Sequence, residues 1–157
     1  MKNIILICLF LGSFTSTFSQ RYIQIKRENV ELSDRKFYVS SVIDKRITKS
    51  EIGEIWRGTF KKSEKIKVEG GMLYAAQDYF QGNFQESSGN QIKTEVQIKY
   101  LYVKQELTRS GESGYAKVII DFIDSEGYRF ETSAEISDEV PDAFSTHEER
   151  IRRAFYE

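Results

Sequence analysis

The chain has 157 residues, with 23 Lys and Arg against 24 Asp and Glu, one His, one Cys and 13% aromatic residues. A formal charge of −1 excludes general nucleic-acid binding, which needs a basic surface, and leaves no polybasic patch for an anionic membrane. One histidine and one cysteine are too few for the usual zinc sites, and the length is that of a single domain.

Residues 1–19 read as a signal peptide. Lys2 and Asn3 form a short basic start, Ile4 to Leu11 an apolar run, and Thr17 and Ser19 suit the −3 and −1 positions of a cleavage site before Gln20. The apolar run is too short to span a bilayer, so no transmembrane anchor is expected after processing. Cys8 follows Ile7 inside the apolar run, not a small residue, and reads as apolar filler rather than a lipidation site. The expected location is the periplasm or the exterior, with outer-membrane association open. Residues 20–157 then form one cysteine-free domain that depends on its core alone.

Arg21 to Glu31 and Lys36 to Ile43 read as strands joined by a turn at Leu32 to Arg35. Arg21, Lys26, Arg27 and Glu28 would protect the first if it lies at a sheet edge. Asp44-Lys45-Arg46 ends the second, and a polar turn leads to Ile52-Gly53. Gly53 to Phe60, with Trp56, is either a short strand or an irregular arm. Lys61 to Lys67 is a basic run of the kind usually found in a solvated loop. Met72 to Gln81 is an amphipathic helix with Met72, Leu73, Ala76, Tyr79 and Phe80 on its apolar stripe and Gly82 as its terminator. A polar loop follows over Gln85 to Gln91.

Lys93 to Ile136 reads as three consecutive antiparallel strands, the centre of the fold. In Lys93 to Leu107, Val96, Ile98, Tyr100 and Tyr102 share a face until the phase blurs. Either a bulge re-aims the strand near Tyr100 or both faces are covered there. Thr108 to Gly114 turns the chain into Tyr115 to Ile123, apolar on both faces and a candidate for the most buried strand. Asp124-Ser125-Glu126-Gly127 is a hairpin connection. Tyr128, Phe130, Thr132, Ala134 and Ile136 then point one way, and Arg129, Glu131, Ser133 and Glu135 the other. Ser137 to Pro141 breaks the pattern. A second helix over Ser145 to Tyr156 carries a capping box, Ser145 with Glu148, with Asp138 a competing earlier cap. Its stripe is Phe144, Ile151, Ala154 and Phe155. His147 lies on or beside it and reads as a packed or surface residue.

The chain has no Gly-x-Ser-x-Gly elbow, phosphate loop or dinucleotide fingerprint. Asp121 and Asp124 are a weak carboxylate pair in a chain with 24 acidic residues, and Asp124 to Gly127 lacks calcium-loop spacing. No enzyme activity, metal or cofactor is expected.

Phe37-Tyr38-Val39-Ser40-Ser41-Val42-Ile43-Asp44-Lys45-Arg46, then Ile52-Gly53 and an amphipathic helix, resembles the YajG-type family of small bacterial envelope lipoproteins over about Phe37 to Phe80. In that family a buried strand ends Asp-x-Arg before Ile-Gly and a helix. This chain lacks the lipid-attachment cysteine. The resemblance implies an α/β sandwich in the cell envelope without known catalysis. On the residues themselves, Asp44 suits a strand exit and Arg46 a nearby acid.

The expected fold is therefore α+β, a two-layer sandwich with a mainly antiparallel sheet of four to six strands and two helices packed on it. The expected function is that of an exported, non-catalytic envelope accessory protein that binds an envelope protein. Trp56, Arg57, Phe60, Lys61 and Lys62 are its candidate partner-binding residues. The alternative is a small-ligand module, for a saccharide or lipid, using aromatics between sheet and helix. Self-association is open.

Overall fold

The computed structural model describes residues 20–27, 35–57, 62–87, 89–109 and 111–156. The expected signal peptide, the part of the first strand beyond residue 27, most of the turn after it, and the candidate residues Phe60 and Lys61 lie outside them.

The described residues form an α+β fold with seven strands and two helices. In chain order these are β1 (Gln20–Ile23), β2 (Phe37–Asp44), β3 (Gly53–Arg57), β4 (Lys62–Val68), α1 (Met72–Asn83), β5 (Ile92–Leu107), β6 (Glu112–Asp124), β7 (Arg129–Val140) and α2 (His147–Tyr156). The strands run β1-β4-β3-β5-β6-β7 across one sheet, and β2 also pairs with β5. None of the described helices is long and apolar enough to cross a membrane.

The three expected antiparallel strands are present as β5, β6 and β7. A bulge does re-aim β5: its register against β6 shifts between Ile98 and Tyr100. Thr94, Val96 and Ile98 face the core before it, and Leu101, Val103 and Gln105 after it. Tyr100 and Tyr102 thus turn away from the face of Val96 and Ile98. β7 runs past Ser137 to Val140, because β6 reaches back to Glu112 and supplies ladder partners as far as that residue. Pro141, which has no N–H to donate, follows directly.

The sheet is mixed and exceeds the expected four to six strands. β1 on β4, β2 on β5 and β3 on β5 are parallel pairs. A parallel pair needs a long crossover, and β3, β4 and α1 supply it between β2 and β5. β2 and the start of β3 lie one after the other along the same edge of β5, against Ile92 to Ile98 and then Val103 and Lys104. The free edge of β2 is closed by α1: Val39 N–H donates to Phe84 O at 2.8 Å, and Gln81 Nε2 to Ser40 O at 2.8 Å.

Gly53 to Arg57 is a strand, and the basic run after it is another, not a loop. Along β4, Ile66 and Val68 are buried while Lys62 and Lys65 are exposed. Its hydrophobic alternation is carried by two residues only, which made the lysines dominate the sequence pattern. β1 lies at the sheet edge and spans four residues.

Both helices pack on one face, where Phe155 of α2 meets Tyr79 and Phe80 of α1 at ring distances of 5.2 and 5.0 Å. Gly82 lies inside α1, against the Arg27 side chain, and the helix ends at Phe84, whose N–H still bonds Phe80 O. Ala75 and Asn83 are on its buried stripe, and Leu73 is exposed. α2 begins two residues later than expected. Ser145 Oγ donates to Asp142 O at 2.9 Å and Thr146 Oγ1 to Ala143 O at 3.3 Å, closing a turn ahead of the helix. The Glu148 carboxylate accepts the Lys26 N–H at 3.0 Å, so the capping-box reading does not hold.

Candidate ligand pocket

Five aromatic residues from five elements meet at one end of the sheet. Phe37 opens β2, Phe84 caps α1, Phe122 lies near the end of β6, Phe130 starts β7 and Phe155 closes α2. Phe37 stacks on Phe84 with ring centroids 5.4 Å apart and takes Phe122 edge-on at 6.1 Å. Phe80 lies against Phe122 and Phe155 at 6.5 and 5.0 Å. Both helices finish here while the β6–β7 hairpin continues, so the inward row of β7 runs out from under its cover. Tyr128 and Phe130 are 73% and 67% exposed.

The result is a recess of about 470 Å³, within the range of small-molecule sites. Its floor is Phe37, Phe84, Phe122 and Phe155, and its mouth Ile92, Tyr128, Phe130 and Tyr156. Thr132 lies on its wall, and most other polar groups nearby are engaged. Thr94 Oγ1 donates to Ile92 O at 3.3 Å. Asp124 Oδ1 accepts the N–H groups of Glu126 and Tyr128 at 2.9 and 2.8 Å, which shapes the hairpin turn. The Arg129 guanidinium contacts Asp121 at 2.8 Å and Glu131 at 3.3 Å.

The sequence reading carries a ligand site among aromatics between sheet and helix as its alternative but does not name these residues. Tyr128 and Phe130 alternate with polar residues and so read as inward core positions. One signal was present in the lengths. A ten-residue helix such as α2 spans about 15 Å, whereas the twelve residues of β7 span about 40 Å.

The candidate partner-binding residues lie elsewhere. Trp56, 46% exposed, is on β3, and the β3–β4 ladder pairs it with Ser63 and pairs Arg57 with Lys62. Trp56, Arg57 and Lys62 therefore lie on the last two rungs of that hairpin, next to its connecting residues 58–61, and Phe60 and Lys61 are outside the described residues. Among the described residues no helix covers the sheet face carrying Glu54 and Lys65, which is crossed by ion pairs. Lys65–Glu51 spans 2.9 Å, Lys99–Glu131 2.6 Å and Lys117–Glu135 3.3 Å.

Two buried polar groups have structural roles. Asp44 and Arg46 form a bidentate pair at 2.8 and 2.9 Å between β2 and β3. Burial pushes the Asp44 carboxyl up, but hydrogen bonds from the Arg46 side chain and N–H, with the Arg46 and Lys49 charges, outweigh it and hold the carboxyl below its usual range. At the end of the core away from the pocket, Arg150 donates through Nε to Asp138 at 2.6 Å and through Nη1 to Ala143 O at 2.8 Å, with His147 Nδ1 at 3.3 Å. His147 is fully buried. Burial first, and then the Arg150 charge, lower its pKa to about 4, against the opposing pull of Asp138 and Asp142. A ring sealed from solvent and beside a guanidinium clamps α2 and offers no open face to a substrate.

No protein-family model matches the chain, and no curated protein or solved structure matches it at a significant level.

Proposed function

We propose that this chain is an exported, non-catalytic binding protein whose ligand seat is the aromatic pocket between the sheet and the ends of the two helices. The observation that carries the reading is the recess of about 470 Å³ floored by phenylalanines. Export rests on residues 1–19, with their apolar run and small-residue cleavage site. The architecture is read as a two-layer sandwich in which the antiparallel meander dominates. The Asp44-x-Arg46 and Ile52-Gly53 signature supports a kinship with YajG-type envelope proteins. Its ion pair and close strand approach are features of folding rather than of binding.

The test is titration of the purified protein with 1-anilinonaphthalene-8-sulfonate. Saturable fluorescence enhancement is expected, abolished in Thr132→Trp, which fills the recess from its wall, and unchanged in Trp56→Ala. An absence of enhancement in the folded wild type would sink the reading.

A second reading is supported by the exposure of Trp56 on the bare sheet face, next to Ser63 of β4. In it, the protein captures an envelope partner through the β3–β4 hairpin. Capture from solubilised envelope should then weaken in Trp56→Ala at unchanged melting temperature. Undiminished capture would remove the hairpin from consideration.

A further inference from the structure

We propose that the ligand is a single-chain amphiphile bound tail-first, its hydrocarbon in the recess and its polar head at the mouth. This deepens the pocket reading and rests on it.

The floor offers only carbon. Phe37, Phe84, Phe122 and Phe155 present ring faces and edges. Of the polar side chains on the wall, Thr94 Oγ1 and Asp124 Oδ1 are engaged in their own backbone turns, and Thr132 adds one hydroxyl. A sugar entering this space would give up many bonds to water and find too few partners to replace them. A hydrocarbon gives up nothing, and every methylene buried is favourable. Polarity increases at the mouth, with Tyr128 and Tyr156. Tyrosines at such a boundary keep the ring in apolar surroundings and the hydroxyl in water. The Arg129 side chain is held on the other face of the sheet by Asp121 and Glu131, so the mouth accepts a polar head without demanding one particular charge.

The size points to one chain. A methylene fills about the space of a water molecule, about 30 Å³. A recess of about 470 Å³ therefore holds one chain of about fifteen carbons and excludes a diacyl pair.

The experiment is calorimetric titration of the purified protein, below micellar concentrations, with linear carboxylates from eight to sixteen carbons. Maltose and the chainless probe 1-anilinonaphthalene-8-sulfonate are run beside them, with lysophosphatidylcholine of matching chain length. The expected result is a Kd that falls about fourfold per added methylene and levels off at about fifteen carbons, with no maltose binding. Thr132→Trp should weaken the longest bound chain more than tenfold. Phe130→Ser, at an exposed position that the fold does not need, should weaken it severalfold. Equal affinity for the carboxylate and the lysolipid supports the inference with phospholipid as the source. Binding of the carboxylate alone supports it with free fatty acid as the source. If the chainless probe binds and is lost in Thr132→Trp while the carboxylates show no length dependence, the amphiphile is overturned and the pocket reading stands. If no probe binds, both fall.

Discussion

Gly53 is where β3 meets β5. A Cβ at that position would overlap the Val103 carbonyl oxygen and crowd its side chain, and neither the backbone oxygen nor its strand can yield cheaply. Gly53→Ala is therefore expected to cost at least about 2 kcal/mol in urea unfolding. An unchanged midpoint would refute the close approach. His147 carries the acid response. Its folded pKa of about 4 lies below its ordinary value of 6.5, so the unfolded chain binds more protons between these limits. Its contribution is complete above pH 6.5 and is lost as the pH falls towards 4. A loss of about 2 kcal/mol is expected by pH 5, measured as denaturant unfolding at pH 7 and pH 5, and it should vanish in His147→Leu. Asp44, held below its usual range, adds its own loss at still lower pH. Trp56 is half exposed on the bare face, so Trp56→Ala should leave the melting temperature nearly unchanged, and a large drop would place Trp56 in the core.

At the scale of elements, α2 is fastened at both ends by different means. Its C-terminal end packs Phe155 against Tyr79 and Phe80. Its N-terminal end depends on Arg150, whose guanidinium occupies the space left by the missing side chain of Gly114 and bridges Asp138 and Ala143. Lysine keeps the charge but not the planar fork. Arg150→Lys is expected to destabilise the fold by about 2–4 kcal/mol and to speed amide exchange in α2 before β5. Exchange in α2 no faster than in the wild type would deny Arg150 this role. The sequence showed this helix and its apolar stripe, since the spacing of Ile151, Ala154 and Phe155 is local. It did not show the start, because Asp142, Ser145 and Thr146 build a competing turn and Glu148 is claimed by Lys26, which is remote in the chain.

At the scale of the molecule, β5 is the hub. Its sixteen residues pair with β6 along nearly their whole length and with β2 and β3 on the other side. The slowest-exchanging amides are expected at Val96, Ile98, Leu101 and Val103 and at their β6 partners, with β1 and the Tyr128 end of β7 opening first. Equal protection of hub and edges would contradict a core centred on β5. The same topology explains the pocket. The long strands of the meander outrun the helices laid over them, and the uncovered remainder is aromatic.

By itself, the sequence determined the presence and type of the long elements. Two-residue alternation in β5, β6 and β7 and helical spacing in α1 and α2 are properties of neighbouring side chains, and the blurred phase near Tyr100 marked the bulge. Only the tertiary structure decided which strands pair and in which direction, because the partners Phe37 and Ile92 are far apart in the chain and nothing local records their meeting. It also decided that β4 is a strand despite its lysines, and that Tyr128 and Phe130 rim a recess rather than fill a core. A side chain's periodicity reports the face it points to, while the element that arrives to cover that face, or ends short of it, is a matter of packing between distant segments.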